Sequence, residues 1–154
     1  MNPTSIVSPD LIFRMANALA LVAWVALAAS LWIPRRAPGL RLFAGRAVPL
    51  AFAVVYVLLF GSHGMGGGGF DSLAAVQRLL AVPALLTAGW LHYLAFDLFV
   101  GAWIAEQAGA LALPAWLVLP VLALTFLFGP AGLLAFVLLR RAFQRAGAQR
   151  PARA

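Results

Sequence analysis

The chain has 154 residues, of which 64% are hydrophobic and 10% charged, and its formal net charge is +7. A soluble domain is nearer half apolar and a quarter charged, and a small one keeps much of its surface in solvent. This composition therefore excludes a water-soluble globule and leaves lipid as the solvent for the excess. The absence of cysteine excludes disulfide and thiol chemistry, and the length leaves room for one membrane domain, residues 1–154, without a separate soluble module.

In chain order, the polar stretch from Asn2 to Asp10 has no basic n-region and precedes an apolar run long enough to span, so the first run reads as a retained helix. That helix is predicted over about 11–33, capped by Ser8 or Asp10 and ended by Pro34. Residues 34–46 carry Arg35, Arg36, Arg41 and Arg46 interleaved with Leu40, Leu42 and Phe43, the pattern of a short interfacial helix. A second, short run covers about 47–63. It is followed by a glycine-rich loop, Gly64 to Gly69, and a helix start capped by Asp71 or Ser72.

The third run, about 79–104, holds Trp90, His92, Tyr93, Asp97 and Trp103, with Glu106 at its far end. The fourth, about 114–139, opens with Pro114, which suits a helix start, and contains Pro120 and Pro130, each expected to kink or break it. At Pro130 the disturbed carbonyl would be that of Phe126. The basic tail, 140–154, holds Arg140, Arg141, Arg145, Arg150 and Arg153. The resulting expectation is an all-α integral membrane bundle of about four transmembrane helices.

All the positive charge is arginine, placed at the ends of apolar runs, where it meets headgroups and sets topology; no nucleic-acid partner is expected. An alanine- and arginine-rich chain without lysine is typical of a GC-rich bacterial genome, which points to a bacterial inner membrane. Four full spans, however, put the first basic connector and the basic tail on opposite sides, against the positive-inside rule. Making the second run a re-entrant hairpin would remove that conflict.

Ionisable groups at membrane depth are costly and usually face the bundle interior. Here they are Asn17, His92 and Asp97, with Arg14, His63, Gln77, Arg78 and Glu106 nearer the interfaces. At 100° per residue His92 and Asp97 point about 140° apart. Asp97 shares a face with Trp90 and Tyr93, and His92 shares one with Phe96, Phe99 and Trp103. One reading is an acid/base or ligand-holding pair bordering a common pocket. The other is structural, with Asp97 bonded to Arg14, Asn17 or Tyr93 and His92 to a neighbouring helix. Two histidines without a carboxylate at ligand spacing do not make a metal site. The glycine-rich loop lacks the lysine and hydroxyl residue of a phosphate loop.

The run from Gly89 through Trp90, His92, Tyr93, Phe96, Asp97, Leu98 and Phe99 to Gly101, followed by Leu124 to Leu134 with Phe128, Pro130 and Gly132, resembles the membrane family typified by the plant abscisic-acid-deficient protein linked to neoxanthin synthesis. Asn17 and Trp24 in the first run, with Phe70, Ser72, Leu73 and Val76, extend the resemblance over most of the chain. It implies a four-helix membrane protein acting on a carotenoid or related isoprenoid. The chemistry implied is an isomerisation that protonates an epoxide oxygen and removes a proton from the adjacent polyene carbon, without a cofactor. His92, Asp97 and Tyr93 would then be catalytic, and Asn17, Trp90, Phe96, Phe128 and Pro130 would hold the substrate. Two other classes stay open: a non-enzymatic protein that binds a carotenoid, retinoid or lipid, and a small transporter component. A homo-oligomer would supply the size that the chain lacks.

Overall fold

The computed structural model describes residues 8–148, so the expectations for Asn2 to Val7, Arg150 and Arg153 lie outside the described residues. Helix α1 (Pro9–Ala29) starts where Ser8 accepts a hydrogen bond from the Leu11 amide at 3.2 Å. The basic connector does not lie along the interface. Its residues form α2 (Ala37–Leu42), pass through one π-helical turn (Phe43–Ala47) and run directly into α3 (Val48–His63). Together these make one apolar helix of 27 residues, Ala37–His63, about 40 Å long at 1.5 Å per residue. The second run therefore spans comfortably, because the helix starts ten residues earlier than its apolar stretch suggested.

Ser72 caps α4 (Leu73–Leu80) by accepting from the Ala75 amide, and Pro83 opens α5 (Pro83–Ala110). Half of the α5 span is buried, against 28% for each of the other two long helices, and α5 touches every other helical segment. It is the central post of the bundle. Buried alanines, Ala16, Ala20 and Ala23 of α1 and Ala88, Ala95 and Ala102 of α5, line the core, with Ala102 packed on Gly45 and Gly101 on Trp24. Small residues at such positions let helices approach closely where lipid offers no hydrophobic drive to associate them.

Among the described residues three helices, α1, the Ala37–His63 helix and α5, are long and apolar enough to cross a membrane. The fourth run does not cross as one helix. It divides at Phe128 (φ −146°, ψ 67°) into α6 (Ala115–Leu127) and α7 (Gly129–Ala148). Contacts set the direction of each half. Phe126 of α6 packs on Trp24, and the end of α6 reaches Tyr93. Gly129 lies on Asp97, Leu133 borders Phe99 and Trp103, and Phe136 meets Trp103 edge-on at 5.4 Å. Thus α7 returns alongside α5 towards the end from which α6 came. The two halves form a re-entrant helical hairpin, with Gly132 packed directly on the Thr125 backbone.

The expectation of about four spans becomes three spans plus this hairpin. The thirteen residues of α6 and the eleven from Gly129 to Leu139 give about 20 and 16 Å, both short of a hydrocarbon core of about 30 Å. The conflict between the arginine clusters disappears, although the re-entrant element is run four and not run two. Arg41 bonds Ser30 and flanks Gly109, so α1, α2 and α5 share one basic end, and α7 carries Arg140 and Arg141 back to it. Of the internal prolines, Pro120 stays inside a continuous α6. Pro130 is the second residue of α7, a position whose amide needs no partner, so it starts a helix and does not kink one.

Candidate functional site

The tip of the hairpin breaks the helical ladder midway along α5. The Phe128 amide donates to the Leu124 carbonyl, closing α6, while the Phe128 carbonyl accepts from Ala131 and Gly132, opening α7. This leaves the Leu127 carbonyl free of a backbone partner at about mid-depth, where an unpaired backbone group is expensive. Tyr93 of α5 meets it, its hydroxyl donating to the Leu127 oxygen at 3.4 Å.

One turn further along the same face stands Asp97, the fifteenth of the 28 residues of α5. It is 8% exposed, and its Oδ2 is buried without a hydrogen-bond partner. The carboxyl rests against the Cα of Gly129, where any side chain would collide with it. The first turn of α7, the positive end of that helix dipole, therefore faces the carboxylate and offsets part of its desolvation. The Tyr93 hydroxyl is near enough to interact with the carboxyl as well.

Towards the opposite end, the same face of α5 continues to Trp90. Its indole Nε1 donates to Asn17 Oδ1 at 3.2 Å, and Asn17 Nδ2 donates to the Phe13 carbonyl at 2.7 Å. The rings of Phe13, Trp90 and Tyr93 follow one another at 5.5 and 5.2 Å. Asn17, Trp90, Tyr93 and Asp97 thus form one polar seam between α1, α5 and the hairpin tip, to which Leu127 contributes its carbonyl and Gly129 its Cα, with Phe128 and Pro130 on either side of Gly129. Of the partners expected for Asp97, Asn17 is taken by Trp90, and Arg14 is exposed on α1.

His92 and Phe96 are not part of this seam. They lie on the opposite side of α5, against α3: His92 is exposed, stacks on Phe96 at 4.5 Å and approaches Tyr56 at 5.9 Å. The spacing expected them on different faces, and no shared pocket joins them to Asp97. A cavity of about 430 Å³ also lies on the α3 side, bordered by Phe96 and Phe99 and not by Asp97. Among the described residues no cluster of three or more histidine, cysteine or acidic side chains could hold a metal ion.

Reading the chain as letters missed the Leu127 carbonyl, the contact of Gly129 with Asp97, and Tyr56. The only signal for the first two was Gly129-Pro130 with Gly132 two places on, together with the mismatch of the two arginine clusters. What the seam offers chemically is a carboxyl and a phenol one turn apart, in apolar surroundings and beside a backbone tip: a proton acceptor and a proton donor.

A family model described as ABA DEFICIENT 4-like matches residues 11–136, which takes in all three long helices, α6 and the first half of α7. No curated protein and no solved structure matches the chain.

Proposed function

The chain belongs to the ABA DEFICIENT 4-like family, which is associated with carotenoid metabolism, and on that premise we propose that it is a membrane-integral isomerase of a carotenoid or related long isoprenoid. The observation that carries the reading is the buried Asp97 carboxyl, its Oδ2 without a hydrogen-bond partner, beside the Tyr93 hydroxyl at the tip of the hairpin. Burying a carboxylate without a partner costs stability, and such sites are retained where the charge works.

In this reading Tyr93 delivers its proton to an epoxide oxygen as the carbon–oxygen bond breaks. Asp97 takes a proton from the adjacent polyene carbon, whose electrons form the new double bond. The proton then passes from Asp97 back to Tyr93 across one helical turn. Substrate and product are isomers, so no oxidant, reductant or cofactor is consumed. A double-bond shift uses the same pair without the epoxide. Trp90, held by Asn17, and Phe128 at the tip supply aromatic walls for the polyene, while His92 and Phe96 on the far face are outside the reaction.

The test is conversion in a carotenoid-producing host, with pigments extracted, separated by chromatography and told apart by retention and absorption spectrum, since isomers share one mass. Asp97→Asn and Tyr93→Phe should each lower turnover by roughly 10²-fold or more, the range of general acid–base catalysis, while His92→Ala stays within a few-fold of wild type. Polyene bound but chemically unaltered in wild type and variants alike would replace the enzyme with a binding protein. Turnover lost in His92→Ala and kept in Asp97→Asn would move the chemistry to the other face.

A further inference from the structure

On the α3 side of α5, away from Asp97, the π-helical turn Phe43–Ala47 brings Gly45 directly against Ala102 and sends Arg46 into the gap between the helices. A π-turn inside a helix commonly marks a working position. Two spaces meet at Arg46. One is the apolar groove of about 430 Å³, bordered by Leu50, Ala53, Ala95, Phe96 and Phe99. The other is a smaller polar recess nearer the basic end, about 90 Å³, bordered by Arg41, Arg46, Trp103 and Glu106. Gly45, Arg46 and Phe99 line both, so the groove and the recess are continuous.

The charges of the recess are arranged for a ligand and not for one another. Arg41 is oriented by Ser30, which accepts from its Nε at 3.3 Å, leaving its terminal nitrogens beside Gly109. Arg46, about one and a half turns deeper, is exposed and closes no ion pair with Glu106 among the described residues. Two guanidiniums from α2 and the π-turn with a carboxylate from α5, lining one recess at the basic end of an apolar groove, complement a zwitterion that has a chain beside it. Arginine forks match phosphate oxygens, and a carboxylate matches an ammonium. Trp103 sits where indoles settle at a membrane interface.

We propose that this groove is a specific site for an amine-bearing phospholipid of the phosphatidylethanolamine type. Its phosphate lies between Arg41 and Arg46, its ammonium lies on Glu106, and one acyl chain lies along Phe99, Phe96 and Ala53. The site is separate from the Asp97 seam and stands whether or not the chain is an enzyme.

Native mass spectrometry of the whole protein in a mild detergent, with phosphatidylethanolamine, phosphatidylglycerol or inorganic phosphate added, reads the site. Wild type should retain one phosphatidylethanolamine per chain in preference to phosphatidylglycerol. Arg46→Gln should lower that retention roughly tenfold, about what one charge-assisted hydrogen bond is worth. Glu106→Gln should erase the preference between the two lipids. Ala53→Trp, which fills the groove and leaves every charge in place, should also release the lipid. Equal retention of phosphatidylglycerol by wild type, undiminished retention in Arg46→Gln or Ala53→Trp, or displacement by inorganic phosphate would overturn the assignment.

Discussion

At Gly132 the hairpin admits no side chain. An alanine there would place its methyl group within the van der Waals shell of the Thr125 backbone, and backbone cannot rotate away as a side chain can. Alanine is worth about 1 kcal/mol over glycine inside a helix, and overpacking a tight contact costs about 1–3 kcal/mol. With backbone as the obstacle the upper figure applies, so Gly132→Ala should destabilise the protein by about 2 kcal/mol net. Gly39, in α2, has no atom within 4 Å of the place an alanine methyl would take, so Gly39→Ala should show the helical gain alone, at most about 1 kcal/mol of added stability. Denaturation in detergent micelles, followed by far-ultraviolet circular dichroism, compares the two. If Gly132→Ala is stabilised as much as Gly39→Ala, residues 125 and 132 do not pack face to face, and the hairpin is refuted.

Four more outcomes follow from the same geometry. Reporters fused at the two termini should lie on opposite sides of the membrane, with the carboxyl-terminal arginines cytoplasmic, since three spans carry the chain across an odd number of times; both termini on one side would restore a fourth span. Gly129→Ala should cost less than Gly132→Ala, about 1 kcal/mol, because the obstructing Asp97 carboxyl can turn on its own side chain, and detergent denaturation measures the difference. Asp97→Leu should match or exceed wild-type stability by about 1–3 kcal/mol in the same denaturation, because it removes a buried oxygen without a partner, yet should convert no polyene. Asn17→Ala should leave the Trp90 indole N–H unpaired, costing about 1 kcal/mol, and should shift the tryptophan emission.

Only one side of α5 can serve the hairpin, and this separates two groups of aromatic residues that sit side by side in the chain. Trp90 and Tyr93 turn to the seam with α1 and the tip, and His92 and Phe96 turn to α3, while Phe99 lies between α3 and α7. A substitution on one side should therefore leave the other side's ligand in place, which makes the two faces independent in experiments.

Much of this protein is legible in its letters. The apolar excess, the arginines at the ends of the runs, caps among Ser8 or Asp10 and Asp71 or Ser72, and the start near Pro114 follow from local chemistry, because a bilayer requires each segment to satisfy its own backbone. The 100° periodicity likewise puts Trp90, Tyr93 and Asp97 on one face and His92 on another. Where the fourth run goes is a different kind of question. A straight span, a kinked span and a hairpin are all compatible with Gly129-Pro130, and the choice depends on whether Thr125 and Gly132 can touch and whether Asp97 meets the new helix start. Both contacts join positions far apart in the chain or turned back on themselves, and their energies exist only once α5 stands at the centre of the bundle. Tertiary packing thus decided which run re-enters, and with it which groups surround Asp97.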